Sequence, residues 1–424
     1  LTQRSKRIFV VFLVVFIDLL GFGIVIPLLP SFSQDMLQMR EGTIGLVAGI
    51  FSLMQFLFSP LWGRLSDIYG RKPIIIFSLS GNVLSYFALG LVFSGVFKSI
   101  LVLFLARAMA GFFSANIGAA MAYISDVTDT KDRSKGMGII GAAFGLGFVF
   151  GPFIGGILAQ NFGYGVPVFL ASLLSFTALI FAVAILEESL PEQFRHQKAS
   201  SVIRIGVGTK KMIEALKHPH IGFLIILYFI ITFSVANTYA TFQIFAESKD
   251  GFSYNVEKIS YLFAYMGLIG AIVQGGLIRQ LVKYFDERKL LITGNLLMAV
   301  GLGAVPYSHH NLLFLLVSLF LLSVGNGLNQ PITLSFVSKF SNPDEQGGIL
   351  GINQSLSSLA RFLGPSWGGY VYEFVGFAFP FLTGGIFMLG GTLLSLKLLH
   401  DRYSKPYIEA MKTYNPQEEA VVND

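Results

Sequence analysis

Stretches of about 20–25 residues with almost no charge alternate along the chain with short charged segments, and each stretch, as a helix, is long enough to cross a hydrocarbon layer of about 30 Å. Twelve are legible, near residues 8–30, 44–65, 74–95, 101–125, 136–159, 166–186, 221–245, 259–280, 290–308, 311–338, 348–372 and 376–399. The pattern predicts an all-α polytopic membrane protein with twelve transmembrane helices. One polar segment, 187–220, is much longer than the others and lies between the sixth and seventh stretches. The expected organisation is therefore a six-helix bundle over 1–186, a cytoplasmic linker over 187–220, a second bundle over 221–400 and a cytoplasmic tail over 401–424. The basic end of the linker, 209–217, suits either a short helix on the membrane surface or a solvated tether.

Composition agrees and removes other classes. Hydrophobic residues make up 54% of the chain and charged ones 13%, against roughly a quarter charged in soluble domains. The chain has 42 Phe and 46 Gly, which suit lipid-facing surfaces and close helix packing. Cysteine is absent, and the six His are scattered with no carboxylate at metal-ligand spacing. No G-x-S-x-G, H-E-x-x-H or Walker A pattern is present, so neither an enzyme nor an ATP-driven pump is indicated, and no cofactor is expected. The first apolar run is too long for the core of a cleavable signal peptide.

The net charge of +6 is a matter of topology and gives no sign of nucleic-acid binding. Of 30 Lys and Arg, 24 fall on the side of the termini, and only Arg40, Lys98, Lys249 and Lys258 on the other. Both termini are therefore expected in the cytoplasm, with a bacterial inner membrane as the expected location. The remaining two, Arg107 and Arg361, lie inside spans.

The two halves repeat. A shift of 213 residues carries Gly151-Pro152 onto Gly364-Pro365, Gly155-Gly156 onto Gly368-Gly369, Gly163 onto Gly376, Pro167 onto Pro380 and Gly63 onto Gly276. Parallel six-span repeats point to a transporter with a cavity at the membrane midplane between two bundles.

Four motifs carry a resemblance to one family. GRLSDIYGRKP, residues 63–73, follows the second span, with Gly63 and Gly70 permitting close approach and a tight turn, and Arg71 and Lys72 at the membrane surface. It resembles the G-x-L-x-D-x-x-G-R-K loop signature of the major facilitator superfamily. LGFGIVIPLLP (20–30) is similar to the span-one pattern of twelve-span drug/proton antiporters, and LFLARAMAGFF (103–113) resembles the R-x-x-x-G motif of span four. GFVFGPFIGG (147–156) matches the antiporter signature of span five through Gly147, Gly151, Pro152, Gly155 and Gly156. The resemblance covers all twelve spans, most closely 10–175, where the chain is similar to tetracycline-efflux and multidrug exporters. It implies two pseudo-symmetric six-helix bundles, the major facilitator fold. It also implies a latch in which Asp67 braces span eleven and Arg71 pairs with Asp126 at the end of span four. The chain departs from tetracycline exporters in having Asn82 and Asn295 where they carry carboxylates in spans three and nine, and Gln274 but no His in span eight. These departures argue against tetracycline itself as the substrate.

Asp18 is the one ionisable side chain in FVVFLVVFIDLLGFGIVIPLLP, residues 9–30, and a carboxylate at mid-membrane costs about 2.5–3.5 kcal/mol on insertion scales. A rise of ~1.5 Å per residue puts Asp18, Arg107 and Arg361 at comparable depths. Three roles fit Asp18: a proton site tuned by Arg107, one partner of a permanent ion pair with Arg107, or a contact for a cationic solute. Arg361 is a second buried cation, at the point where the first copy has Phe148. Gln55, Asn116, Tyr228, Asn237, Gln274, Asn326, Asn329, Gln330 and Asn353 are candidates for the cavity surface, with Gln354, Phe22, Phe112, Phe113 and Tyr239 beside them. The expected function is secondary active transport, a proton-coupled antiporter exporting small amphiphilic drugs or metabolites, with the proton as coupling ion and the lipid bilayer as its surroundings. The expected form is a monomer with no nucleic-acid partner. A lipid or lysolipid carrier, a sugar or organic-acid carrier, or a receptor on a carrier scaffold are the alternatives.

Overall fold

A computed structural model describes residues 3–128, 133–190, 206–308, 310–341 and 346–399. The tail 401–424 and the middle of the predicted linker, 191–205, lie outside the described residues. Twelve long helices follow the predicted order: Gln3–Leu37, Glu41–Tyr69, Arg71–Phe93, Ile100–Val127, Arg133–Phe162, Gly165–Ile185, Gly222–Glu247, Val256–Tyr284, Glu287–Tyr307, Leu312–Lys339, Gln346–Phe374 and Phe379–Leu399. They are numbered here as spans one to twelve. A short helix, Gly206–Lys217, occupies the basic end of the linker. Among the described residues there is no strand.

Among the described residues, eleven of these helices are long and apolar enough to cross a membrane. Span eleven is 29 residues long but less apolar, because its sequence carries Asn353, Gln354, Ser357, Ser358 and Arg361. Polar residues on a span are tolerated where they face a cavity or another helix. Several spans outrun their predicted ends. Span one continues through SFSQDML to Leu37, since a helix can project beyond the hydrocarbon without breaking its hydrogen bonds.

Local signals set the boundaries. Asn255, Asp286 and Asn311 accept hydrogen bonds from the backbone N–H of Lys258 (3.1 Å), Arg288 (2.8 Å) and Phe314 (3.1 Å) and so cap spans eight, nine and ten. Gly163 and Gly376, equivalent under the 213-residue shift, both sit at positive φ, 86° and 135°, a conformation that glycine adopts without steric cost.

The repeat is visible in the packing. Span five approaches span one so closely that a Cβ on Gly151 would lie 2.7 Å from Gly23 Cα, and one on Gly155 2.7 Å from the Ile24 carbonyl. Span eleven approaches span seven in the same way, a Cβ on Gly364 falling 2.8 Å from Asn237 N. The two halves then meet at the end remote from the N terminus. There Gly45 and Gly49 of span two face the backbone of Pro365 and Phe362, and Gly156 of span five faces Ser260 of span eight. Ser31, Gln243 and Glu247 join span one to span seven through mutual hydrogen bonds, and Glu373 of span eleven accepts from Gly42 N at 3.0 Å. Towards the side of the N terminus the contacts lapse, and a Cβ on Gly145 or Gly270 would meet nothing within 4 Å. The result is a central cavity sealed at one end.

Candidate functional site

The cavity has a volume of about 210 Å³ and draws its walls from both halves. Span one places Asp18 in it, 3% exposed. Asn82 of span three donates from Nδ2 to Asp18 Oδ1 at 2.7 Å, and Asn82 in turn accepts from Ser114 Oγ at 3.1 Å. The other oxygen, Oδ2, is buried and has no hydrogen-bond partner among the described residues. A carboxyl group in such surroundings has given up most of its hydration, with the Asn82 amide as its donor and Asn116 alongside.

Span four brings the second charge. Its helix tightens to a 3₁₀ turn at Ser114–Asn116, which frees carbonyls that need partners in a membrane. Trp62 Nε1 donates to the Phe112 carbonyl at 2.7 Å, Ser78 Oγ to that of Phe113, and Gln55 Nε2 to that of Ser114 at 3.2 Å. Outward of the turn, Arg107 is 2% exposed. Its guanidinium carbon lies 5.0 Å from the Phe51 ring centre and 5.8 Å from that of Phe22, and one nitrogen donates to the Ala48 carbonyl at 3.3 Å. Nε and the other terminal nitrogen have no hydrogen-bond partner among the described residues.

Among the described residues no ion pair joins Asp18 to Arg107 in this conformation, so the ion-pair role, one of the three that fit Asp18, is not seen here. The aromatic faces and the Ala48 carbonyl hold the guanidinium instead, while Asn82 occupies one carboxylate oxygen. Arg361 of span eleven lines the opposite half and donates to Ser358 Oγ of its own helix at 2.8 Å.

Of the other candidates, Gln55, Tyr228, Gln274, Asn326 and Gln330 line the cavity, with Gln354, Phe22 and Tyr239. Asn116, Asn237, Asn329 and Asn353 are buried and absent from its wall, and the half-buried Phe112 and Phe113 are absent from it too. Asn237 donates to the Pro380 carbonyl at 2.7 Å and Asn329 to Asn295 Oδ1 at 2.9 Å. Both serve helix packing, the commoner use of an amide inside a membrane. Phe112 and Phe113 pack around Trp62 and Phe77. Sequence reasoning missed Ala48, Phe51, Thr232 and Ser323 on the cavity wall. Thr232 was within reach, since Tyr228, Thr232, Ala236 and Tyr239 share one helical face of span seven.

At the loop after span two, Gly70 turns the chain at φ 105°. Glu188, arriving after span six, accepts from the backbone N–H of Arg71 (2.9 Å) and Lys72 (3.1 Å), so a carboxylate sits on the first turn of span three. Arg71 is buried and pairs with Asp67 at 2.7 Å and with Asp126 at 3.2 Å, and it donates to Ser66 Oγ at 2.6 Å. Lys72 donates to the Val183 carbonyl at 3.2 Å. Gly63 departs from expectation: a Cβ there would meet nothing within 4 Å, because the halves stand apart at this end. In span five, Gly147, Gly151 and Gly155 face span one while Gly156 faces span eight across the seam, and Pro152 lies beside Gly23.

Comparison with known proteins adds a lineage. A profile described as the Major Facilitator Superfamily matches residues 11–285 and 277–413. The chain is similar to multidrug resistance protein 2 of Bacillus subtilis (strain 168), 30% identical over 403 residues, covering 93% of this chain and 96% of that one. It is also similar to the class H tetracycline resistance protein of Pasteurella multocida, 26% identical over 408 residues, covering 95% and 98%. The crystal structure of the human organic anion transporter MFSD10 superposes with a TM-score of 0.69 at 24% identity, covering 93% of this chain and all of that one.

Proposed function

Since the chain belongs to the Major Facilitator Superfamily, we propose that it is a proton-coupled exporter of small amphiphilic molecules, with Asp18 as the group that takes and releases the proton. The observation that carries this reading is the half-satisfied Asp18 carboxylate, facing a largely apolar cavity whose far end is sealed. In general, burial of a carboxyl group favours the acid, while exposure to water or the approach of a guanidinium favours the anion. A change of access between the two faces alters both influences, so a proton can load from one side and leave on the other. One charge moving across 100 mV is worth about 2.3 kcal/mol, enough to drive a solute uphill.

The names of the relatives, multidrug and tetracycline resistance proteins, support export. The excess of Lys and Arg on the side of the termini supports cytoplasmic termini in a bacterial inner membrane. A cavity completed within one chain supports action as a monomer. Arg71, Asp67 and Asp126 act in this reading as the latch that changes with access.

The test is dye uptake into proteoliposomes driven by an acid interior, across a panel of fluorescent amphiphiles. Uptake that collapses when an ionophore dissipates the gradient is the expected result. Movement indifferent to the gradient would replace antiport with facilitated diffusion or lipid transfer.

A further inference from the structure

We propose that Arg361 is an anion subsite in the cavity, so that the solute is an amphiphile bearing a carboxylate or a sulfonate. The proposal rests on reading this cavity as the solute site. Among the described residues lining it, three are charged: Asp18, Arg107 and Arg361. The wall therefore carries net positive charge whether Asp18 is ionised or neutral.

The two guanidiniums are not equivalent. Arg107 is caged by Phe22 and Phe51, holds the Ala48 carbonyl, and shares its half with Asp18. Among the described residues, Arg361 has Ser358 of its own helix as its hydrogen-bond partner and Tyr228 alongside, and no carboxylate pairs with it. The polar lining around it on the same half, including Tyr228, Thr232, Gln274, Asn326 and Gln330, is neutral. A guanidinium without a carboxylate partner inside a membrane is costly. The equivalent position in the first half is Phe148, which also lines the cavity. What a guanidinium offers beyond a ring is a planar fork of donors matched to two acid oxygens. The aromatic remainder of the wall (Phe22, Phe51, Phe148, Tyr239) suits the apolar body of such a solute.

The test compares two dyes with the same xanthene skeleton and opposite charge, fluorescein and rhodamine 6G. Binding to the purified full chain in detergent at pH 8 is read by fluorescence polarisation, with no proton gradient involved. Wild type is expected to favour fluorescein. Arg361→Gln should weaken fluorescein about 10- to 100-fold, the scale of a lost hydrogen bond to a charged group, and leave rhodamine 6G within about threefold. Arg361→Lys, which keeps the charge without the fork, should fall between, and it decides the matter if the Gln variant does not fold. Equal loss of both dyes in the Lys variant, or unchanged fluorescein binding in a folded Gln variant, would overturn the subsite while leaving the cavity as the solute site. If neither dye binds wild type, the cavity reading fails and the subsite with it.

Discussion

The two halves share a scaffold and differ in what they put on it. Under the 213-residue shift, Asp18, Asn82, Arg107, Asn116 and Phe148 correspond to Ile231, Asn295, Phe320, Asn329 and Arg361. Both asparagine pairs are fully buried. In the second half the amides close on each other and on span twelve, Asn329 donating to Asn295 at 2.9 Å and Asn295 to Ser395 Oγ at 3.2 Å. In the first half the Asn82 amide is given to Asp18 instead. The arginine position differs by orientation as well as by residue. Phe320 is 46% exposed whereas Arg107 faces the cavity. Span ten runs as one α-helix, Leu312–Lys339, while span four contains the 3₁₀ turn at Ser114–Asn116. Three residues at 3.0 rather than 3.6 per turn rotate what lies beyond by about 60°, which swings Arg107 inward. One half has thus kept an inert amide clamp where the other has built a titratable site.

The largest expected effect lies at Asp18. Asp18→Asn keeps a side chain able to meet Asn82 but removes the titratable group, and should cut gradient-driven transport about a hundredfold or more, in line with losing an acid–base group. The converse substitution, Ile231→Asp, places a carboxylate at the equivalent site, where span ten carries the exposed Phe320 in place of Arg107. It should lower stability in detergent by about 2.5–3.5 kcal/mol and should not rescue Asp18→Asn in the double variant.

Next come the glycine seams. Gly151→Val and Gly364→Val should damage expression and transport to a similar degree, since a Cβ at either would fall within 2.8 Å of a neighbouring backbone. A tolerated change at one alone would break the symmetry of packing. The asparagines separate the halves more finely. Asn295→Leu should cost about 1–3 kcal/mol by stranding Asn329, and Asn295→Leu with Asn329→Leu should recover most of it. Asn82→Leu instead strips Asp18 of its donor, so its signature is a change in the pH profile of transport, read beside thermal unfolding.

The smallest effect is at Asp286. Burial would raise its carboxyl, but the Arg288 side chain and backbone N–H hold it below the usual carboxylate range. A depressed group contributes stability above its unfolded pKa and loses it as the pH falls through the folded one. Asp286→Ala should therefore cost about 0.5–2 kcal/mol near neutral pH, with the difference from wild type vanishing in strong acid; thermal unfolding across pH checks this.

Much of this was legible in the residues because its physics is local or periodic. Span lengths follow from apolar run length, and the repeat shows through glycines and prolines whose backbone roles tolerate few substitutes. Asp18, Arg107 and Arg361 stand out because charge in an apolar run is rare. What stayed hidden depends on helix rotation. Nothing in SAN, residues 114–116, announces a 3₁₀ turn, so the facing of Arg107 and the burial of Asn116 behind the cavity wall could not be read. The same limit misplaced Asn237, Asn329 and Asn353, since composition cannot tell an amide that faces solute from one that faces a neighbouring helix. The capping of span three by Glu188 was equally out of reach, because the two are more than 100 residues apart.

The most direct test of Asp18 as the proton carrier separates exchange from coupling in one preparation. Proteoliposomes containing a trapped pH dye would hold wild type or Asp18→Asn, with dye-for-dye exchange and solute-induced proton movement recorded together. Asp18→Asn should still exchange solute while proton movement falls to the protein-free background. Proton movement that persists in Asp18→Asn at the wild-type ratio to solute would contradict the assignment.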